Sequence, residues 1–259
     1  MNRIALAAVL AVAIAVGLIF GVFPKLDLNV AALFYDPKRA IFIVSAQLWV
    51  YYLRNAARGI VALLVAPAFL AILGKLILPH RRILIQGRAA LLLVVTLAVG
   101  PGVVTNLIFK DHWGRSRPID VADFGGSDRF NPWWDPRGRC PNNCSFVAGE
   151  PSGAFWTLAP AALAPPTWRP IAYGAALAFG AGIGLLRMAG GAHFFTDVVF
   201  AGVVTFLVVW TLHGLIYRCR ATRVADEVID QRLAQIGEAL RGALAGLAGW
   251  ITGRVGRGS

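Results

Sequence analysis

Residues 4–22, IALAAVLAVAIAVGLIFGV, contain no charged side chain. An α-helix needs about 20 apolar residues to cross the hydrocarbon core of a bilayer, so this stretch makes lipid part of the chain's solvent. A cleaved leader is the rival reading. The run is long for one, and no small-residue cleavage site precedes Pro24, so a retained span is expected. Further apolar runs at 59–78, 89–109, 151–165, 168–187 and 194–217 predict six transmembrane helices. The fold class expected is therefore all-α, a polytopic membrane helical bundle. Gly100-Pro101-Gly102 predicts a kink in the third span. Residues 26–48 are mixed and suit the interface, with Tyr35-Asp36-Pro37-Lys38 as a turn. Composition agrees: 58% of the 259 residues are hydrophobic and 15% charged, against about a quarter charged in soluble domains.

The net charge is +12. In a soluble protein that excess suggests nucleic acid. Here the cations border apolar runs, where they set topology and meet lipid headgroups, so the bilayer is the expected partner and nucleic acid is not. Six crossings place Arg3, the basic connector 79–88, Arg169 and the Arg218/Arg220/Arg223 cluster on one side, the cytoplasmic side by the positive-inside rule. The long polar loop 110–150 and the turn 187–193 then share the opposite side. In a bacterial inner membrane that side is the periplasm. A Cys140–Cys144 bridge is allowed there, Cys219 reads as a free thiol, and two cysteines at that spacing make a poor zinc site.

Residues 1–217 form the membrane domain and 218–259 a cytoplasmic tail. In the tail, Val228, Leu233, Ile236, Leu240, Leu244, Leu247 and Ile251 recur at mostly three- and four-residue steps, the pattern of an amphipathic helix. It can lie on the leaflet, pair with another chain, or remain solvated.

Three segments on the predicted periplasmic side carry chemistry. The stretch KDHWGRSRP, 110–118, concentrates cations. Arginine offers a planar fork that fits phosphate, and lysine adds a point charge; contact with lipid headgroups explains them equally. In LLRMAGGAHFFTD, 185–197, His193 and Asp197 share a helical face. A carboxylate on one imidazole nitrogen leaves the other as a lone-pair donor, although a satisfied interfacial histidine and a capping aspartate fit as well. In SFVAGEPSGAF, 145–155, small residues let amides approach an anion at a helix start. Glu150 there either caps the helix or, if burial raises its pKa, donates a proton.

Taken together, Lys110-x6-Arg117-Pro118, then a Ser/Gly segment, then Arg187-x5-His193-x3-Asp197 resembles the type 2 phosphatidic acid phosphatase superfamily, over about residues 50–215. The family pattern is K-x6-R-P, P-S-G-H and S-R-x5-H-x3-D. Leu186 stands where serine is frequent. The second motif departs, and two registers compete. Pro151-Ser152-Gly153 followed by Ala154 matches the letters but lacks a proton donor. Val147-Ala148-Gly149-Glu150 puts Glu150 at the family's histidine and resembles a branch with S-F-V-x-G-E that includes lipid A 4′-phosphatase-like proteins; it is the favoured register. Ala148 stands where that branch often has serine.

The resemblance implies a metal-independent, cofactor-free phosphoric monoester hydrolase acting on a membrane lipid phosphate. Lys110, Arg117, Arg187 and amides near Gly149 are expected to bind the phosphoryl group. His193, oriented by Asp197, is expected to form a phosphohistidine, and Glu150 to protonate the leaving alkoxide. Lipid A, undecaprenyl pyrophosphate and phosphatidylglycerophosphate are the candidate substrates. A non-catalytic lipid-phosphate-binding protein would account for the altered second motif. A transporter predicts charges spread through the span midplanes, and a metal site of His112, Glu150 and His193 lacks zinc-like spacing.

Overall fold

A computed structural model describes residues 3–45, 47–80, 85–219, 221–222 and 225–255, with side chains described through residue 246. Arg81, Arg82, Arg220 and Arg223 of the expected basic clusters, and the side chains of Leu247 and Ile251, lie outside the described residues. The chain is built almost entirely of helices: α1 (Arg3–Val22), α2 (Lys25–Ala32), α3 (Leu48–Ile77), α4 (Gly87–Lys110), α5 (Gly149–Phe155), α6 (Leu158–Leu163), α7 (Arg169–Ala189), α8 (Phe195–Arg218) and α9 (Asp226–Val255). A small hairpin pairs Tyr35 with Phe42 and Asp36 with Ile41.

Among the described residues, α1, α3, α4, α7 and α8 are long and apolar enough to cross a membrane. That is five; the sixth expected span, at 151–165, is not a single long helix. The apolar run there folds as two short pieces, α5 and α6, broken at Trp156-Thr157. Thr157 Oγ1 turns back to donate to Ala154 O at 2.7 Å. The buried Trp156 indole donates to Thr96 Oγ1 at 2.9 Å. Most side chains of both pieces are buried, whereas none of α1 is. Hydropathy alone does not distinguish a helix bathed in lipid from one packed among other helices.

The second span also differs from expectation. It starts at Leu48 rather than near residue 59, so Arg54 and Arg58 lie inside a helix. The expected kink in α4 is a widened winding over Ala98–Lys110. Pro101 has no N–H to give, and Asn106 Nδ2 donates to the Pro101 carbonyl at 2.8 Å.

The described chain groups into two compact units, residues 1–64 with 95–213, and 65–94 with 214–259. In the first, small residues allow close helix packing. A side chain at Gly180 would lie 2.2 Å from the Phe155 ring, and one at Gly184 would lie 2.2 Å from Val198. In the second, α9 docks on this chain's own helices. The buried Lys75 pairs with Asp230 at 2.8 Å, Arg88 pairs with Asp226 at 2.7 Å, and Ile229 is buried.

Candidate active site

Two clusters of charge lie in the first unit, and the stretch 110–118 feeds both. The closed one centres on Arg115, whose side chain is fully buried. Its guanidinium donates to Asp27 Oδ2 (2.8 Å), Thr196 Oγ1 (2.8 Å), Asn131 O (3.0 Å) and Asp197 Oδ1, and lies 4.4 Å from the centre of the Phe194 ring. Asp27 also accepts from Thr196 N and Oγ1. Burial pushes the Asp27 carboxyl above the usual carboxylate range, against the pull of Arg115.

Asp197 ties this cluster to His193. Its Oδ2 accepts from Ser145 Oγ at 2.5 Å and from Phe194 N at 2.8 Å. The direct bond expected from Asp197 to the imidazole is not made. Oδ2 lies 3.8 Å from His193 Nδ1, too far for a hydrogen bond. Nδ1 instead lies 2.8 Å from Ser145 O, an acceptor without a proton, so Nδ1 carries the hydrogen and Nε2 the lone pair. Among the described residues nothing bonds Nε2. Asp197 therefore orients the ring indirectly, by fixing Ser145. The turn that presents His193 requires Gly191, whose φ is +68° and where a side chain would strike the Phe42 ring. Burial pushes the imidazole down to about 4; Asp197 pulls against this, and Lys110 and Arg187 push the same way. The imidazole is thus neutral, with its lone pair available, at neutral pH.

Part of the open cluster lines a cleft of about 300 Å³, with Arg54, Arg58, Asn106, Lys110, Gly149 and Glu150 on its wall; Arg117, Arg187 and His193 lie close to these residues but do not line it. Lys110, at the end of α4, crosses the start of α5, where the glycine lets its side chain lie close. A side chain at Gly149 would lie 2.9 Å from Lys110 Cε. Lys110 Nζ donates to Asn143 Oδ1 and Arg117 Nη2 to Asn143 O, both at 2.8 Å. Arg117 and Arg187 both lie within electrostatic range of Lys110. Arg187 is largely buried, its Nε lies 3.5 Å from Glu150 Oε2, and that nitrogen has no hydrogen-bond partner among the described residues.

Glu150 sits differently from the expected proton donor. Arg54 grips it with two nitrogens, at 2.9 Å and 2.6 Å, and Arg58 adds a contact at 3.2 Å. Three guanidinium groups around one carboxylate favour its ionised form, which has no proton to give. The structure thus brings Lys110, Arg117, Arg187, Gly149, Glu150, His193 and Asp197 into one neighbourhood. It adds Arg54, Arg58, Ser145 and Asn143, and assigns Arg115 and Asp27 to scaffolding. The four-residue step from Arg54 to Arg58 was the one available signal for the α3 pair. Nothing in the sequence pointed to Asp27. His112 is exposed and turned back on Ile108 O. Cys140 and Cys144 are joined as a disulfide, and Cys219 is free and exposed.

A family model of the PAP2 superfamily matches residues 89–223. A lipid A 4′-phosphatase of Francisella tularensis subsp. novicida is 38% identical over 200 residues, covering 77% of this chain and 90% of its own. Lipid A 4′-phosphatases of Rhizobium leguminosarum and Rhizobium etli are 36% and 35% identical, each over 46% of this chain and over 52% and 46% of their own lengths. No solved structure matches the chain significantly. With more than half its length matched by the family and a relative 38% identical over 77% of it, the chain belongs to the PAP2 superfamily and is a membrane lipid phosphatase.

Proposed function

We propose that the substrate is a lipid A-type glycolipid phosphate and that the reaction occurs at the periplasmic face of a bacterial inner membrane. The names of the three relatives support the substrate class. The orientation is supported by the basic residues at one set of helix ends and by a disulfide in the loop opposite. In this reading α5 and α6 together supply the sixth crossing, short but buried among neighbours.

The observation that carries the mechanism is Arg187, a largely buried guanidinium with an unpartnered Nε, beside Lys110 and a neutral imidazole. A buried donor left unpaired is costly, and an arriving phosphoryl oxygen relieves it. Lys110, Arg117 and Arg187 bind the phosphoryl oxygens. Nε2 of His193 attacks phosphorus; the N–P bond forms as the bond to the lipid oxygen breaks, and the leaving alkoxide takes a proton from a water molecule. The hydroxide left by that transfer then attacks phosphorus as the N–P bond breaks, and phosphate leaves with His193 restored. Nδ1 keeps its hydrogen, donated to the Ser145 carbonyl, throughout, and Asp197 and Ser145 keep the ring aimed. Gly149 contributes room for Lys110. Glu150 remains ionised and gathers Arg54, Arg58 and Arg187 into a preorganised cationic wall.

The test is phosphate release by purified protein, with EDTA present, from lipid A, phosphatidylglycerophosphate and undecaprenyl pyrophosphate. Release from lipid A, lost in His193→Ala, is the expected result. Preference for another of these lipids overturns the substrate class, and equal release by wild type and His193→Ala overturns the mechanism.

A further inference from the structure

Asn143 presents oxygen atoms to both Lys110 and Arg117, its side-chain Oδ1 to the first and its backbone carbonyl to the second, each at 2.8 Å. Its φ is +49°, a left-handed conformation that asparagine tolerates better than most residues. Like charges on Lys110 and Arg117 repel, and a pair of neutral oxygens between them holds both cations in place. Both keep further N–H donors for a ligand, since lysine has three and arginine five.

What holds Asn143 is equally specific. It is exposed and lies in a five-residue ring, Cys140-Pro141-Asn142-Asn143-Cys144, closed by the disulfide. The ring's two ends are hydrogen-bonded to the segment that bears the cations: Cys140 N to Gly114 O at 3.1 Å and Cys144 N to Lys110 O at 3.0 Å. A short exposed segment with few other anchors opens readily unless it is covalently closed.

We infer that Asn143 is a positioning residue for the two phosphate-binding cations, and that the Cys140–Cys144 bridge sets it, so that the oxidised chain captures phosphate more tightly than the reduced one. This rests on the assignment of Lys110 and Arg117 to phosphate binding. It gives the enzyme its full affinity only after its loop reaches an oxidising compartment. Reduction by a dithiol such as dithiothreitol transfers two electrons and two protons to the bridge, gives two cysteine thiols and leaves the reagent as its cyclic disulfide.

The experiment uses the full chain carrying Cys219→Ser, so that the reductant acts on this bridge alone. Phosphate release from lipid A and inhibition by tungstate, a phosphate-like oxyanion that dithiols do not reduce, are measured with and without dithiothreitol. Loss of one hydrogen bond to a charged group predicts a rise of about tenfold in KM and in the tungstate Ki on reduction, with kcat within about twofold. Cys140→Ser/Cys144→Ser shows the raised KM and no response to reductant. Asn143→Gly keeps the left-handed backbone and the carbonyl but removes Oδ1; it raises KM in the oxidised protein, and Asn143→Asp, which restores an acceptor oxygen, recovers part of the loss. A merely structural bridge would lower the melting temperature and leave KM unchanged. Equal KM and Ki in the oxidised and reduced protein overturn the proposal, as does full alkylation of Cys140 and Cys144 in protein isolated without reductant. If wild type releases no phosphate from any lipid, the substrate reading has failed instead. Tungstate binding by calorimetry, oxidised against reduced, then decides the proposal alone.

Discussion

Arg115 and Arg187 are both arginines on largely buried sites of the same unit, and they do opposite work. Arg115 spends its donors on Asp27, Asp197, Thr196 and a backbone carbonyl, with no exposure. Arg187 shares one carboxylate with Arg54 and Arg58 through an Nε that stands 3.5 Å from it and makes no hydrogen bond among the described residues. Removing a saturated buried cation strands its carboxylates and costs stability, whereas an unsaturated one beside other cations is where we propose that an anion binds. Sequence proximity does not separate the two cases. Lys110, Arg115 and Arg117 fall within eight residues, and the middle one belongs to the scaffold.

His193, which Asp197 links to the closed cluster and which neighbours Lys110 and Arg187, should be the most sensitive residue of all. His193→Ala is expected to lower kcat for phosphate release about ten-thousand-fold or more while leaving the melting temperature in detergent near that of wild type. Residual activity within tenfold would remove His193 from the chemistry. Next in size, Arg115→Ala leaves two buried carboxylates without their cation and should cost about 3–5 kcal/mol of stability, read by thermal unfolding or by loss of folded protein on expression. Arg187→Ala should reverse that pattern. A loss of about 100- to 1,000-fold in kcat/KM is expected, with a melting temperature unchanged or raised. If both arginine variants lose stability alike, the division into closed and open clusters is wrong.

Glu150 offers a finer test. If the carboxylate organises its three arginines, Glu150→Gln loses the same factor on a lipid alkoxide as on p-nitrophenyl phosphate, whose leaving group needs no proton. If it is the acid, activity on the aryl ester is spared. We expect equal losses, about tenfold, the scale of one charged hydrogen-bonding partner.

The spans were legible because uncharged runs of bilayer length have few other uses. The start of α3 was not, because Arg54 and Arg58 interrupt hydropathy while the helix continues beneath them. The break at Trp156-Thr157 was hidden for the opposite reason, since its residues are as apolar as those of a continuous span. Lys110, Arg117, Arg187, His193 and Asp197 were visible through motif spacing, which carries no distances. The spacing suggested a direct Asp197–His193 bond, and the interposed Ser145 lies 48 residues from the imidazole it holds. Asp27 is 88 residues from Arg115, in a segment whose composition suggested only the membrane interface. The tail was readable as an amphipathic helix, but not its partners Lys75 and Arg88, since periodicity identifies a face without saying what covers it.

The smallest predicted effect separates the clusters by the sign of their response to acid. His193 gives up its proton near pH 4 in the folded chain and near 6.5 when unfolded. Between those values the unfolded chain holds more protons, so stability from this group is full above about pH 6.5 and is lost as pH falls toward 4. Asp27 is shifted the other way by burial. The folded chain takes its proton more readily than the unfolded one, so acid favours the folded state there, and that contribution fades as pH rises through the folded pKa. Melting temperatures should therefore fall less steeply in His193→Gln than in wild type as pH drops from about 6.5 toward 4, and more steeply in Asp27→Asn as pH drops toward the ordinary carboxylate range, whatever each substitution does to the absolute value. Curves parallel to wild type in both variants would mean that neither group carries the burial penalty assigned to it. A shared sign would mean that the imidazole and the Asp27 carboxyl answer to one field, and that His193 belongs wholly to the closed cluster.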